Sequence, residues 1–301
     1  MMTISTALAQ GTYLLTKANL QTGDHEGRPY GDDRVARLET QVLLSHVLHV
    51  DRSFLFAYPE HLLSPEQELQ FLVLIERRKN GEPTAYLIGH QEFYGLEFLV
   101  DQRVLIPRPE TELLVEVALQ ACRTMLASGR IPIVADIGTG SGAIPITLAI
   151  EEPRLPYLYA SDISSDALAV ASLNCQRHDV ADRVRLLQGD LLAPLPEPVD
   201  VVTANLPYVG TDEVDIVEPG VRDYEPHLAL FSGPNGLDLL WRFLVEVQQT
   251  NKLKSGAILV LEIGYQQREP LASMLQELLP GARAVFKKDY GGWDRVLHVA
   301  L

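Results

Sequence analysis

The segment Asn205-Leu206-Pro207-Tyr208 has residue types and an order that suit chemistry on a planar NH₂ group. The nitrogen of an amide or aromatic amine is a poor nucleophile, because its lone pair is delocalised. The side-chain carbonyl of Asn205 and the backbone carbonyl of Leu206 can hold such a group by both hydrogens. Pro207 would shape the turn, and Tyr208 would pack against the flat group. Because the two carbonyl dipoles stabilise positive charge growing on the nitrogen, we expect all four residues to be catalytic.

The segment 136–142 has the order D-x-G-x-G-x-G and lies between an apolar run and a helical stretch. Glycines allow a tight turn there and let a ligand lie against bare backbone. Taken alone, the segment is also typical of an ordinary strand-to-helix turn or of a dinucleotide site. The residues that we expect to bind a cofactor in this turn are Asp136, Gly138, Thr139, Gly140, Ser141 and Gly142.

Two further carboxylates follow later apolar runs. Asp162 can accept hydrogen bonds from both hydroxyls of a ribose, and Asp190 can accept one from an adenine amino group. Together with Asp136 they form an acidic rim, which would suit a pyrophosphate poorly. S-adenosylmethionine has no phosphate and carries a positive sulfonium, so the rim favours it as the cofactor. The remaining residues expected to bind it are Asp162, Asp190, Leu191 and Asn205.

Helical patterns dominate the first third of the chain. Apolar residues recur at helical spacing over 34–48, and Asp32 and Asp33 are candidate caps before it. The segment Ser64–Gln67 has the order of a capping box with proline at the first helical position. It predicts a helix that continues to Lys79 and ends at Asn80-Gly81.

From about residue 130, short apolar runs alternate with helical stretches. The alternation predicts a parallel sheet covered by helices, and the continuous apolar runs predict strands buried on both faces. The expected strands are Ile131–Ile137, Tyr157–Ser161, Val184–Gln188, Val199–Ala204 and Ala257–Ile263. Residues 282–288 and 295–301 predict an antiparallel pair that closes the sheet. The expected fold class is α/β, the seven-stranded, mostly parallel sheet of class I S-adenosylmethionine-dependent methyltransferases with its C-terminal hairpin, plus an N-terminal helical domain.

Three parts of the chain are expected. Residues 1–85 form the N-terminal helical domain, and residues 106–301 form the methyltransferase domain. Between them, residues 86–105 are expected to form a linker with a β-hairpin, because aromatic and aliphatic residues surround Gly95.

Composition and charge restrict the partners. The chain has 25 basic and 40 acidic residues, a formal net charge of −15, and no basic stripe of the kind that holds bare nucleic acid. No apolar run approaches the roughly 20 residues of a membrane span. Cys122 and Cys175 lie in no metal-ligand pattern and are expected to be small buried hydrophobic residues. We therefore expect a cytoplasmic monomer without a metal site, a membrane or a direct nucleic-acid partner.

Four further stretches make the chain resemble the family of release factor glutamine N5-methyltransferases. The stretches are residues 77–89, 92–96, 104–112 and 221–230, and the string Ile106-Pro107-Arg108-Pro109-Glu110-Thr111-Glu112 is the most specific of them. The resemblance implies that the substrate is the glutamine of the Gly-Gly-Gln (GGQ) loop of peptide chain release factors. It also implies that the N-terminal domain recognises the factor, and that the cofactor and the glutamine bind at the positions named above.

One position departs from the family pattern, which has N-P-P-Y where this chain has Leu206. The backbone carbonyl is kept, so the amide clamp is kept. The same motif also serves adenine-N6 nucleic acid methyltransferases and glutamine methyltransferases of ribosomal proteins, and a non-catalytic S-adenosylmethionine-binding protein is a further alternative. Arg108 is expected either to reach the cofactor carboxylate or to brace its loop, and His227 to help fix the loop over the pocket.

Overall fold

The computed structural model describes residues 2–19 and 33–301. The chain divides into two compact units, one of Met1–Gly89 with Asp215–Tyr224 and the other of His90–Val214 with Glu225–Leu301. The candidate cap Asp32 lies outside the described residues. No helix in the described ranges is both long enough and apolar enough to cross a bilayer.

The described residues form eleven α-helices and nine β-strands. The helices are α1 (Ile4–Asn19), α2 (Asp33–Leu48), α3 (Arg52–Ala57), α4 (Pro65–Lys79), α5 (Thr84–Ile88), α6 (Glu112–Ala127), α7 (Ala143–Glu151), α8 (Ser165–Arg177), α9 (Pro219–Tyr224), α10 (Asp238–Gln249) and α11 (Arg268–Leu278). The strands are β1 (His90–Phe93), β2 (Leu96–Leu99), β3 (Val134–Ile137), β4 (Leu158–Asp162), β5 (Val184–Gln188), β6 (Val199–Ala204), β7 (Leu253–Glu262), β8 (Arg283–Lys288) and β9 (Asp294–Ala300).

The predicted capping box at the start of α4 is confirmed. The Ser64 hydroxyl accepts from the Gln67 backbone N–H at 3.2 Å, and the Ser64 N–H donates to the Gln67 side chain at 2.9 Å. The helix ends at Lys79, as expected, and Gly81 follows with φ +96°. α1, α2 and α4 pack so closely that a Cβ on Gly11 would lie 2.6 Å from Cγ2 of Thr40, so this position needs glycine.

The second unit contains a seven-stranded sheet of order β5-β4-β3-β6-β7-β9-β8, in which β9 runs antiparallel to both of its neighbours. The neighbouring pairs from β5 to β7 are parallel. Successive residues of a strand enter different apolar cores, as Val201 and Val202 do, because side chains alternate across a sheet. The expected fold class, with its closing antiparallel strands, is confirmed. Both cysteines are free and buried, as expected.

Two of the expected runs differ from the expectation of burial on both faces. The first expected strand, β3, begins at Val134, so Ile131 lies outside it and is 59% exposed. β3 and β6 are buried throughout, but in β5 only Val184 is fully buried, and Arg185 and Gln188 are exposed. β5 lies at an edge of the sheet, where helices cover it incompletely. Its apolar composition therefore did not indicate its position in the sheet, and the prediction was wrong for this strand.

The predicted β-hairpin is confirmed as the antiparallel pair of β1 and β2. Tyr94 and Gly95 connect the strands with φ angles of +54° and +74°, the sign of both central residues in a type I′ turn. Asn174 on α8 holds the second strand by accepting from the Leu99 N–H at 2.7 Å and donating to the Leu99 carbonyl at 3.0 Å. The hairpin belongs to the second compact unit.

Candidate active site

The register of the sheet places the glycine turn and the Asn205–Tyr208 segment side by side. Ile137, the last residue of β3, pairs with Ala204, the last residue of β6. The chain winds from β3 towards one edge of the sheet and from β6 towards the other. The loops that follow β3 and β6 therefore lie at a topological switch point. Such a point is where open α/β sheets bind ligands.

A cleft of roughly 1190 Å³, including its open mouth, lies at this switch point. The expected site residues that line it are Gly138, Thr139, Gly140, Ser141, Asp162, Asp190, Leu191, Asn205, Leu206 and Pro207. Asp136, Gly142 and Tyr208 are not among the lining residues. The volume, with the open mouth counted, is of the order found for small-molecule sites.

The glycine turn is held by backbone contacts. The N–H groups of Gly138 and Thr139 both donate to the Ser161 carbonyl at the end of β4, at 2.9 and 3.0 Å. Gly138 has φ +73°, and a Cβ there would lie 3.2 Å from Cδ2 of Leu206. The positive φ favours glycine, and any side chain there would also force Leu206 to shift by a few tenths of an ångström.

The Asp162 carboxylate contacts the turn from the end of β4. Its Oδ2 accepts from the Gly140 N–H at 2.9 Å, and its Oδ1 accepts from the Ser164 N–H at 2.9 Å. Burial raises the pKa of Asp162, and these backbone donors oppose the rise. Each carboxylate oxygen keeps a second lone pair, so the group can still accept from two hydroxyls of a ligand in the cleft.

Asp190 and Leu191 line the cleft after β5. The Asp190 carboxylate accepts from the guanidinium of Arg242 on α10 at 2.5 Å, and Arg242 also lines the cleft. Both side chains are about half exposed. No sequence pattern indicates Arg242 as a neighbour of Asp190, because the two residues lie 52 positions apart along the chain.

Asp136 and Gly142 lie behind the cleft wall and support the turn. The Asp136 carboxylate is 1% exposed and accepts from the Thr203 hydroxyl of β6 at 2.7 Å, which links the two central strands. Burial raises the pKa of Asp136 to about 6, and the hydrogen bond from Thr203 opposes the rise. Gly142 caps α7 with φ +81°, and a Cβ there would lie 3.3 Å from the Cβ of Ala171.

A hydrogen-bonded group of side chains surrounds Asn205. Its Nδ2 donates to the Thr111 hydroxyl at 3.2 Å, and that hydroxyl donates to Oε2 of Glu262 at 2.6 Å. The Tyr208 hydroxyl donates to the other Glu262 oxygen at 3.2 Å. Burial raises the pKa of Tyr208 and also that of Glu262. Thr111 and Glu262 were not expected at this site. Glu262 ends β7 and Thr111 ends a turn before α6, but neither belongs to a motif to which the sequence analysis assigned a site role.

The proline-stiffened loop before α6 is anchored by Glu225. The guanidinium of Arg108 donates to this buried carboxylate, and the Ile106 N–H donates to it at 3.1 Å. Of the two roles expected for Arg108, the structure thus shows the brace, and Arg108 also lines the cleft. His227 stacks edge-on against Phe231 at 5.4 Å, in a segment whose Leu228 also lines the cleft.

Solved structures share the fold. The catalytic domain of hMettl16, solved with the MAT2A 3′UTR hairpin 1, aligns with a TM-score of 0.53 at 14% identity, covering 81% of this chain and 82% of that one. At this identity the likeness concerns the fold alone.

Family comparisons cover most of the chain. The PrmC N-terminal domain matches residues 32–89, and the Methyltransferase small domain matches residues 111–226. The release factor glutamine methyltransferase of Koribacter versatilis is 42% identical over 80% of this chain and 84% of its own length. Those of Moorella thermoacetica and Bacillus anthracis are 42% and 38% identical, over 86% and 87% of this chain and 89% and 91% of their own lengths. The chain belongs to the release factor glutamine methyltransferase family.

Proposed function

We propose that this protein transfers a methyl group from S-adenosylmethionine to the side-chain amide nitrogen (N5) of the glutamine in the GGQ loop of peptide chain release factors. Membership of the family supports the reaction and the class of substrate. The observation that carries the proposal is the pairing of Ile137 with Ala204, because it sets the amide of Asn205 beside the glycine turn.

The residues of the cleft fit S-adenosylmethionine, which supplies an electrophilic methyl group on a positively charged sulfur. The turn from Gly138 to Gly140 presents bare backbone, and a side chain at Gly138 would press on Leu206. Asp162 has acceptor capacity for the ribose hydroxyls, and Asp190, which lines the cleft, would accept from the adenine amino group. These carboxylates also suit a cationic ligand better than a pyrophosphate.

The catalytic contribution of the protein is positioning and electrostatics. Oδ1 of Asn205 and the backbone carbonyl of Leu206 accept the two hydrogens of the substrate amide and hold its nitrogen towards the cofactor end of the cleft. As the nitrogen becomes positive, the two carbonyl dipoles stabilise it, and no base has to remove a proton first. The methylated amide then loses its extra proton to solvent, and the cofactor would leave as neutral S-adenosylhomocysteine. Alignment of two reactants can itself contribute up to about 7–11 kcal/mol to lowering a barrier.

Leucine at position 206 is compatible with this clamp. Its side chain is 3% exposed and packs into the core on one face of the sheet, against the glycine turn. Packing thus immobilises a loop that a second proline would have stiffened covalently. We propose that the backbone carbonyl of Leu206 keeps its role.

The charge and the cysteines of the chain bear on its partner and its cellular compartment. The net charge of −15 favours a protein partner over direct contact with nucleic acid. Two buried, unpaired cysteines fit a reducing cytoplasm. We propose that the N-terminal helical domain recognises the release factor and that the enzyme works as a monomer, which light scattering of the purified protein would test.

The decisive experiment is a methylation assay with labelled S-adenosylmethionine and purified release factor, wild type beside a version whose GGQ glutamine is replaced. Label on the wild-type factor alone is expected. Label on both factors would refute the assigned glutamine. Label on neither factor, with cofactor bound, would refute release factor as the substrate and direct the same assay to ribosomal proteins.

An enzyme variant tests the clamp. Asn205→Ala should abolish methylation while cofactor binding, measured by calorimetry, persists. Methylation at the wild-type rate by this variant would contradict the clamp mechanism.

A further inference from the structure

Three side chains from three elements form a continuous series of hydrogen bonds that ends at the side-chain amide of Asn205. Glu262 is the last residue of β7, Thr111 ends a 3₁₀ turn (Pro109–Thr111), and Asn205 follows β6. The Thr111–Glu262 bond is 2.6 Å long and the Asn205–Thr111 bond 3.2 Å. Thr111 is 4% exposed and Glu262 1% exposed, so water does not compete for these bonds.

With Glu262 ionised, the form that Arg295 and the hydrogen bonds from Thr111 and Tyr208 favour, the donors and acceptors in this series can be ordered in one way. An ionised carboxylate accepts hydrogen bonds and donates none. Both Glu262 oxygens are engaged, one by Thr111 and the other by the Tyr208 hydroxyl at 3.2 Å. The single hydroxyl hydrogen of Thr111 is therefore donated to Glu262. The hydroxyl oxygen can then only accept a hydrogen bond from Asn205.

This order decides which end of the Asn205 amide faces the cleft. The oxygen and nitrogen of a side-chain amide are nearly equal in size, so shape does not distinguish them. An acceptor at Thr111 selects the NH₂ end of Asn205 and turns its carbonyl oxygen the other way. A substrate amide nitrogen needs an acceptor at that place, whereas an NH₂ group would repel it.

The Thr111 hydroxyl does not serve as a helix cap. It occupies the N-cap position of α6, where threonine commonly accepts a hydrogen bond from the first turn of the helix. Here its backbone is helical and its side chain makes no cap hydrogen bond. The hydroxyl is instead directed at Glu262, which lies 151 residues away in the chain.

We propose that Thr111 and Glu262 are positioning residues that set the orientation of the Asn205 amide, so that its oxygen faces the substrate nitrogen. They act through Asn205; Thr111 also lines the cleft, whereas Glu262 is not among its lining residues. This inference rests on the proposed function, because it specifies how the amide clamp is set.

The test compares Thr111→Val with Thr111→Ser. Valine keeps the shape and removes the acceptor, while serine keeps the hydroxyl. For Thr111→Val we expect kcat for release factor methylation to fall about 10–100-fold, because one preoriented dipole is lost. The Kd for S-adenosylmethionine should stay within about twofold, and serine should restore kcat to within about threefold of wild type. Thr124→Val, an exposed change on the same helix, is the matched control.

Two kinetic results would overturn the inference. One is a Thr111→Val enzyme with wild-type kcat, and the other is a Thr111→Ser enzyme as slow as the valine variant. Either would show that the hydroxyl does not orient the clamp.

A second readout does not depend on turnover. In protein labelled with ¹⁵N at asparagine, the Asn205 side-chain NH₂ signals, assigned with Asn205→Asp, should shift and exchange faster in Thr111→Val but not in Thr111→Ser. Unchanged signals in the valine variant would refute the orientation. A wild-type enzyme that fails to label release factor would refute the proposed function instead, and the NMR result would still decide the orientation.

Discussion

The Asp136 carboxylate lies almost fully buried at the end of β3, where burial raises its pKa to about 6 from 3.8. The folded state therefore binds this proton more tightly than the unfolded state does. Between these two values the unfolded chain has lost the proton while the folded protein still holds it, so the free energy of unfolding falls as pH rises. Above about pH 6 the loss of folding stability is complete, and below about pH 4 it is absent.

Asp136→Asn should remove this pH dependence. The free energy of unfolding of wild type minus that of the variant should fall by up to about 3 kcal/mol as pH rises from 4 to 7. Urea denaturation at each pH measures it. A difference that is independent of pH would mean that Asp136 titrates alike in the folded and unfolded chain.

Asp162 has two tasks, since it holds the Gly140 and Ser164 backbone and faces the cleft. Asp162→Ala should weaken S-adenosylmethionine binding more than about tenfold, because two charge-assisted hydrogen bonds to the ligand and the support of the turn are lost together. Calorimetric titration measures the Kd. Asp166→Ala, at an exposed position on α8, is the control and should bind as wild type does. Equal affinities of the two variants would exclude the ribose assignment.

At the scale of elements, α4 starts with a complete capping box. Ser64→Ala should lower the free energy of unfolding by about 1 kcal/mol, because a helix N–H loses its acceptor. Ser53→Ala, an exposed serine on α3, removes a hydroxyl that caps nothing and serves as the control. Urea unfolding followed by circular dichroism compares them, and equal losses would argue against the cap.

The loop after β7 braces the reactive segment through Gln267. Its Nε2 donates to the carbonyls of Tyr208 and Gly236 at 3.0 and 3.1 Å, and its Oε1 accepts from the Gly264 N–H at 2.9 Å. Gln267→Ala should cost about 2–3 kcal/mol of stability, since buried backbone groups lose partners. It should also slow methylation, because the loop carrying the clamp loosens.

The neighbouring exposed Gln266→Ala is the control for this brace, and thermal unfolding together with the methylation assay provides both readouts. Methylation at the wild-type rate in Gln267→Ala would mean that the loop holds its shape without the glutamine.

At the scale of the whole molecule, the net charge of −15 opposes contact with a polyanion. We expect labelled duplex DNA and tRNA to show no binding at 150 mM salt, measured by fluorescence anisotropy. Release factor is the positive control in the same assay. Tight RNA binding that weakens steeply with salt would contradict this expectation and favour a nucleic acid substrate.

The sequence by itself determined the parts of this protein that depend on short-range order. The capping box of α4, the hairpin turn at Gly95 and the glycine turn after β3 each need a few residues at set spacings, so they can be read directly. The alternation of strands and helices likewise determined the α/β class, because each strand must bury its apolar residues against a helix layer.

Tertiary structure alone decided which of these parts meet. The pairing of Ile137 with Ala204, the exposure of edge strand β5 and the bond between Thr111 and Glu262 depend on strand order and register. Strand order and register are set by the packing of the whole sheet, and no residue pattern of fixed spacing along the chain indicates them. For the same physical reason, the motif residues predicted where the cleft lies, whereas the side chains that orient those residues could be identified only in the folded protein.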